Sequence, residues 1–232
     1  MTQTTWRAEI PHWLLLSGMF AAAAALWPIA PERIPVHWNI NGEIDRYGGR
    51  LEGLLAVPLI AVAVYALMLA LPRIDPGRAN YASFRAAYRW CRLAVLGMVA
   101  FMYGCMLLTA FGHPVHMGTV APIATGVLFI VLGNFMGKFR PNWFVGVRTP
   151  WTLSSRRSWN KTHRLAGWLF MAMGLTMAAW GLVQTAWMLA IAATVTVGSL
   201  VWLVIYSYLV WRDDPERISA ANTSPADREE SI

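Results

Sequence analysis

Four long stretches of this chain carry no Asp, Glu, Lys or Arg, namely 10–31, 53–72, 93–137 and 165–211. A helix needs roughly 20 apolar residues to cross the ~30 Å hydrocarbon core of a bilayer. The first two stretches therefore predict one membrane-spanning helix each. As a single helix rising about 1.5 Å per residue, each of the other two would be roughly 70 Å long, so each is expected to hold two spans.

Two breaks divide the longer stretches. Gly112-His113-Pro114 interrupts the third, and Gln184 interrupts the fourth. Because backbone polar groups must be satisfied internally in lipid, the spans are predicted to be helices. The chain is thus expected to be all-α, a polytopic transmembrane helical bundle of about six spans. The predicted spans are 11–30, 54–72, 90–111, 119–137, 164–183 and 187–210.

The basic residues are distributed unevenly between the two sides of such a bundle. Sixteen of the 19 Lys and Arg residues lie in the amino terminus, in 73–92, in 138–164 and in the tail, which six spans place on one side. The positive-inside rule makes that side, and both termini, cytoplasmic. The tail, 212–232, is expected to be disordered because it is polar and charged. The net charge of +7 is read as a topology signal, so no nucleic acid is predicted as a partner.

The segment 73–92 begins as a turn and then takes on a helical pattern. Its arginines recur near helical spacing, which is typical of a basic amphipathic helix. We expect them, Arg92 included, to face lipid headgroups at the inner interface. An ordinary positively charged flank of a span is the alternative.

The sizeable outer loop, 31–53, carries His37, Asn39 and Asp45 in the pattern H-x-N-x-x-G-x-x-D. One His and one Asp are too few for a closed metal site, so no metal and no cofactor are predicted. Asn-Gly at 41–42 favours a type I′ turn with positive φ. A structural turn and a ligand-binding loop remain open, and in the second case these three residues are the expected ligand contacts.

The inner loop, 138–163, is dense in polar groups. Its guanidinium groups suit a planar oxyanion such as a phospholipid head, a phosphate or an acidic patch on a partner. The alternative is a loop that caps helix ends and ties two spans together. Asn134 and Arg148 are expected to bond the loop backbone. The candidate ligand contacts in and beside this loop are Asn134, Arg140, Asn142, Arg148, Thr149, Trp151, Thr152, Trp159, Asn160, Thr162 and His163.

These two segments also carry a family resemblance. In the inner segment GN at 133–134, RPN at 140–142, GVRTPWTL at 146–153 and WNKTHR at 159–164 resemble the signature of the SdpI family of bacterial polytopic membrane proteins. The outer-loop string IPVHWNINGEID resembles the DUF1648 domain that often precedes that signature. The resemblance implies a DUF1648-like region at 11–72 and an SdpI-like region at 85–211.

The family takes its name from an immunity protein that protects its producer from a secreted toxic peptide and that also holds a transcriptional repressor at the membrane. The resemblance therefore implies a non-enzymatic protein of the bacterial cytoplasmic membrane. It would meet a peptide toxin or envelope ligand outside and a regulatory protein or anionic lipid inside. Transport or flipping of a small or lipidic substrate is the alternative. An intramembrane enzyme is a weaker one, because the chain holds no H-E-x-x-H, G-x-S-x-G or paired carboxylates within a span.

Overall fold

The computed structural model describes residues 6–216, and six of its helical stretches are long and apolar enough to cross a membrane. This confirms the predicted polytopic helical bundle. All but the first few residues of the predicted tail lie outside the described residues. The helices are α1 (Ile10–Leu26), α2 (Arg50–Ile74), α3 (Tyr81–Ala110), α4 (Met117–Met136), the short α5 (Pro150–Ser154), α6 (Arg156–Val183) and α7 (Ala186–Arg212).

Both predicted breaks divide helices in the structure. Gly112, two residues beyond the end of α3, has φ +82°, a conformation that glycine adopts without steric cost. Gln184 ends α6 in the left-handed conformation with φ 52°, and its side chain donates a 2.5 Å hydrogen bond to Thr119 at the start of α4. The turn between α6 and α7 is thus fixed to the outer end of α4.

Helices α4 and α6 pack against each other through glycines. Gly126 faces Gly174, and Gly133 faces Gly167, with backbone oxygens lying where side chains would otherwise be. A Cβ atom on Gly167 would stand 2.9 Å from the carbonyl oxygen of Gly133. Small residues let two helices approach this closely in a membrane, where van der Waals packing drives association. Gly137, at the end of the same face, makes only loose contact with α6.

The outer loop contains a two-stranded antiparallel hairpin that the sequence analysis did not predict. Strand β1 spans Ile34–Trp38 and β2 spans Ile44–Gly48. The predicted type I′ turn is wrong, because Gly42 has φ +79° but Asn41 does not have a positive φ. The backbone N–H of Gly42 instead donates to the backbone carbonyl of Asn39. The N–H of Asn39 donates to the carbonyl of Glu43, which closes a three-residue loop with glycine in the left-handed position.

The inner face is the end of the bundle that carries the α2–α3 turn, the 138–163 loop and the last turn of α7. This is the side that the positive-inside rule makes cytoplasmic. The outer face carries the hairpin.

Candidate functional sites on the two faces

On the outer face, His37 and Asp45 form a cross-strand pair. The imidazole Nδ1 lies 2.6 Å from a carboxylate oxygen of Asp45, and the two side chains are 62% and 42% exposed. Asn39 does not join this pair. Its amide oxygen accepts hydrogen bonds from the backbone N–H groups of Asn41 and Glu43, so it shapes the hairpin turn. The structure therefore brings together two of the three outer candidates and gives the third a structural contact.

The hairpin is held against the helices at its base and at its tip. Ile34 is fully buried and packs where Gly53 of α2 lacks a side chain. Arg46 bonds Glu52 at the start of α2 at 2.6 Å. At the tip, a Cβ atom on Gly42 would stand only 2.7 Å from the Cα of Gly118 in α4. The hairpin thus contacts helices of both halves of the chain.

On the inner face, Asn142 organises the start of the loop. Its side chain is buried and makes four hydrogen bonds to nearby backbone. The amide nitrogen donates to the carbonyls of Arg140 and Val145, and the amide oxygen accepts from the N–H groups of Phe144 and Val145. These four bonds use the hydrogen-bonding groups that an amide side chain offers.

Thr149 and Thr152 form a capping box at the start of α5. Each side chain bonds the other residue's backbone N–H, at 3.2 Å and 2.9 Å. The hydroxyl of Thr149 also lies 2.9 Å from that of Ser207 in α7. Ser155 caps α6 and bonds the carboxylate of Asp214, just beyond α7. The loop is therefore tied to the inner end of α7 at two points.

Trp159 and His163 form the buried centre of the loop. Their rings stack with centroids 4.0 Å apart, and the indole N–H of Trp159 donates to the carbonyl of Phe139 at 3.0 Å. Gly146 has φ +106° and lies directly against the imidazole, where a side chain would collide. Thr162 is fully buried beside them, and its hydroxyl has no hydrogen-bond partner within residues 6–216.

Four inner candidates lie apart from this centre. Arg140 and Asn160 are exposed. Asn134 is exposed as well and makes no side-chain hydrogen bond among the described residues, so its expected bond to the loop backbone is wrong. Trp151 packs edge-on against Tyr208 of α7. By contrast, Arg148 does bond the loop backbone as predicted, donating to the carbonyl of Trp143 at 2.8 Å.

Asp75 was missed by the sequence analysis and connects the two inner segments. Its buried carboxylate accepts hydrogen bonds from the N–H of Gly77, the hydroxyl of Tyr81 and the N–H of Trp143. Asn80 adds a 2.7 Å bond to the carbonyl of Pro141. The sequence feature that could have pointed to Asp75 is its position at the end of a span, directly after Pro72-Arg73-Ile74. That feature does not identify its partner Trp143, which lies 68 positions away.

A buried charged cluster joins α1, α2 and α3 and was also missed. Arg92 donates to the carboxylate of Glu9 at 2.5 Å, and the hydroxyl of Tyr65 donates to the same carboxylate at 2.7 Å. His12, fully buried, stacks on Tyr65 and lies 3.3 Å from Glu9. The expectation that Arg92 faces lipid headgroups is therefore wrong, because its guanidinium is paired inside the bundle.

Two segments of the chain match known protein families. Residues 138–207 match the SdpI/YfhL protein family, and residues 14–62 match DUF1648, a domain of unknown function. The chain thus combines an SdpI-family region with a DUF1648 region that precedes it. The immunity protein SdpI of Bacillus subtilis (strain 168) is 23% identical over 189 residues, which cover 82% of this chain and 88% of that relative. No solved structure matches the chain.

The DUF1648 region and the SdpI-family region differ in which of their motif residues are exposed. The DUF1648 region carries the exposed His37–Asp45 pair on the outer face. The SdpI segment buries most of its signature in hydrogen bonds that hold the loop on α6 and α7. Within that signature Asn142, Thr149, Thr152, Trp159 and His163 are buried, and Arg140, Arg148 and Asn160 are exposed.

Proposed function

We propose that this protein is a non-enzymatic immunity or signalling protein of the bacterial cytoplasmic membrane. Its outer hairpin meets a secreted peptide toxin or another envelope ligand, and its inner face engages a cytoplasmic regulatory protein. Kinship with an immunity protein over most of the chain supports this proposal.

The observation that carries the proposal is the contact of the hairpin tip with α4. Gly42 lies against Gly118, so a ligand that shifts the hairpin displaces the outer end of α4. Helix α4 packs tightly on α6 through paired glycines, and the first turns of α6 hold the inner loop through Trp159 and His163. Packed helices with two discrete arrangements are one physical route for coupling distant sites.

The direct test is protection of sensitive cells. Bacillus subtilis lacking its own SdpI is challenged with the secreted toxic peptide, with and without expression of this protein. Higher survival with the protein supports immunity, and equal killing at matched protein level removes immunity to that peptide. Survival with the Asp45→Ala variant then shows whether the hairpin takes part.

Binding is measured separately from protection. The full chain in vesicles is titrated with the labelled peptide, and Asp45→Ala and His37→Ala are expected to weaken binding because both side chains are exposed on the outer face. Asn160→Ala is the matched control, because Asn160 is also exposed but lies on the inner face. Equal binding by all three variants and the wild type would remove the hairpin from the proposal.

Transport of a small or lipidic substrate is the second candidate, and the cluster around Glu9 favours it. Ionisable residues within spans often mark coupled pathways. Here Glu9, His12 and Arg92 are buried together. Substrate movement in proteoliposomes that Glu9→Gln abolishes, with the protein still folded, would place transport ahead of immunity.

A further inference from the structure

A crevice of about 560 Å³ opens between the first three spans and the last three. This volume lies within the range of small-molecule sites. Both halves of the chain supply its walls, which are mostly apolar. The apolar lining includes Met68, Val95, Leu132, Phe170, Leu203 and Val204.

The crevice lies in the inner half of the bundle. Met68 is within two turns of the inner end of α2, and Leu132 is in the last two turns of α4. Leu203 and Val204 belong to the inner half of α7. The crevice is therefore level with the acyl chains of the inner leaflet, since half of a ~30 Å hydrocarbon core lies on each side of the midplane.

The inner loop closes the crevice on its cytoplasmic side. Residues 144–149 line the crevice on this side, and Arg148 among them has an exposed side chain. Its guanidinium donates one hydrogen bond, to Trp143, and makes no ion pair within the described residues 6–216. A guanidinium has five N–H donors in a planar fork that matches phosphate, so donors remain for a ligand.

We propose that this crevice is a binding site for an anionic phospholipid of the inner leaflet. One acyl chain fills the apolar walls, and the phosphate group bonds Arg148. An empty apolar crevice at this depth would lose dispersion contacts, and water within it would find few polar partners. The charge at the rim selects an anionic headgroup, because positively charged sites beside the membrane attract the anionic lipids of the cytoplasmic leaflet.

The headgroup part of the site is tested on the purified full chain. The protein is exchanged into micelles with phosphatidylglycerol or phosphatidylcholine, and retained lipid is counted by native mass spectrometry. Arg148→Gln is expected to reduce retained phosphatidylglycerol about tenfold, the effect of losing a charge-assisted hydrogen bond. Arg140→Gln, exposed in the same loop but absent from the crevice wall, is expected to retain the wild-type amount.

The acyl part is tested by filling the crevice. Val204→Trp places a large ring in the wall and is expected to lower retention of both lipids. Val201→Trp is the matched control, because Val201 is on the same helix, is similarly exposed and does not line the crevice. Since Val204 is 45% exposed, the added ring is expected to leave folding intact, which circular dichroism checks.

Three results would overturn the proposal. Equal wild-type retention of the two lipids would remove headgroup selection, and unchanged retention in Arg148→Gln would remove the phosphate contact. A lipid-free dimer that Val204→Trp dissociates would assign the crevice to a second copy of the chain.

Discussion

The N–H of Val147 donates a 3.1 Å hydrogen bond to Nε2 of His163. Because Nε2 accepts, the ring carries its proton on Nδ1, and that nitrogen donates to the carbonyl of Trp159 at 2.8 Å. Both ring nitrogens are thus engaged with backbone groups of the inner loop and α6. The geometry gives His163 a structural role in holding the loop and supplies no observation in favour of an intramembrane enzyme built around it.

Replacing His163 with Ala is expected to destabilise the protein by about 2–4 kcal/mol, because it leaves the partly buried N–H of Val147 without its partner and a cavity beside Trp159. The unfolding midpoint in detergent measures this loss. Asn160→Ala, an exposed change one turn away, is expected to stay within about 0.5 kcal/mol of the wild type. Equal midpoints for the two variants would contradict the structural role.

Gly146→Ala is expected to lower stability and to disorder the inner loop. The residue has φ +106°, which an L side chain rarely adopts, and the added Cβ would meet the His163 ring. Gly137→Ala is the control, because its Cβ would meet only the Cα of Arg164 at 3.9 Å. Proteolysis of the loop in inside-out vesicles should rise for the first variant alone, and equal cleavage would refute the packing argument.

The number of spans and their breaks could be predicted because hydropathy and backbone preference act locally. Gly112 and Gln184 end helices for reasons visible in the neighbouring residues, since a glycine and a polar residue interrupt apolar runs. The hairpin could not be predicted in the same way. Its strands are five residues each and mix exposed and buried positions, so no clear alternation separates them from a loop.

The buried polar contacts could not be predicted from the sequence, because they join residues far apart in the chain. Arg92 fits a row of interfacial arginines by spacing, but its partner Glu9 lies 83 positions earlier. For the inner loop, polar density was equally compatible with anion binding and with capping. The structure places Asn142 and Thr152 in caps and turns, whereas ligand binding by the exposed residues stays a prediction.

Gly126→Val is expected to separate α4 from α6. The new side chain would overlap the backbone of Gly174, which cannot move away without shifting the helix. Overpacking of this kind typically costs about 1–3 kcal/mol. Gly198→Val, at a position on α7 with nothing within 4 Å of an added Cβ, is the control. A cysteine pair placed across α4 and α6 should crosslink less in the first variant only.

Breaking the Glu9–Arg92 pair is expected to cost about 3–5 kcal/mol for each single change, because Glu9→Gln leaves a buried guanidinium uncompensated and Arg92→Met leaves a buried carboxylate. The double variant should lose less than the sum of the two, since neither charge then remains, and this shortfall is the coupling energy of the pair. Arg85→Gln, exposed about two turns before Arg92, controls for the general loss of positive charge. Unfolding midpoints of the wild type and the four variants in one detergent provide the measurement. Additive losses would show that Glu9 and Arg92 act independently, against the 2.5 Å contact between them.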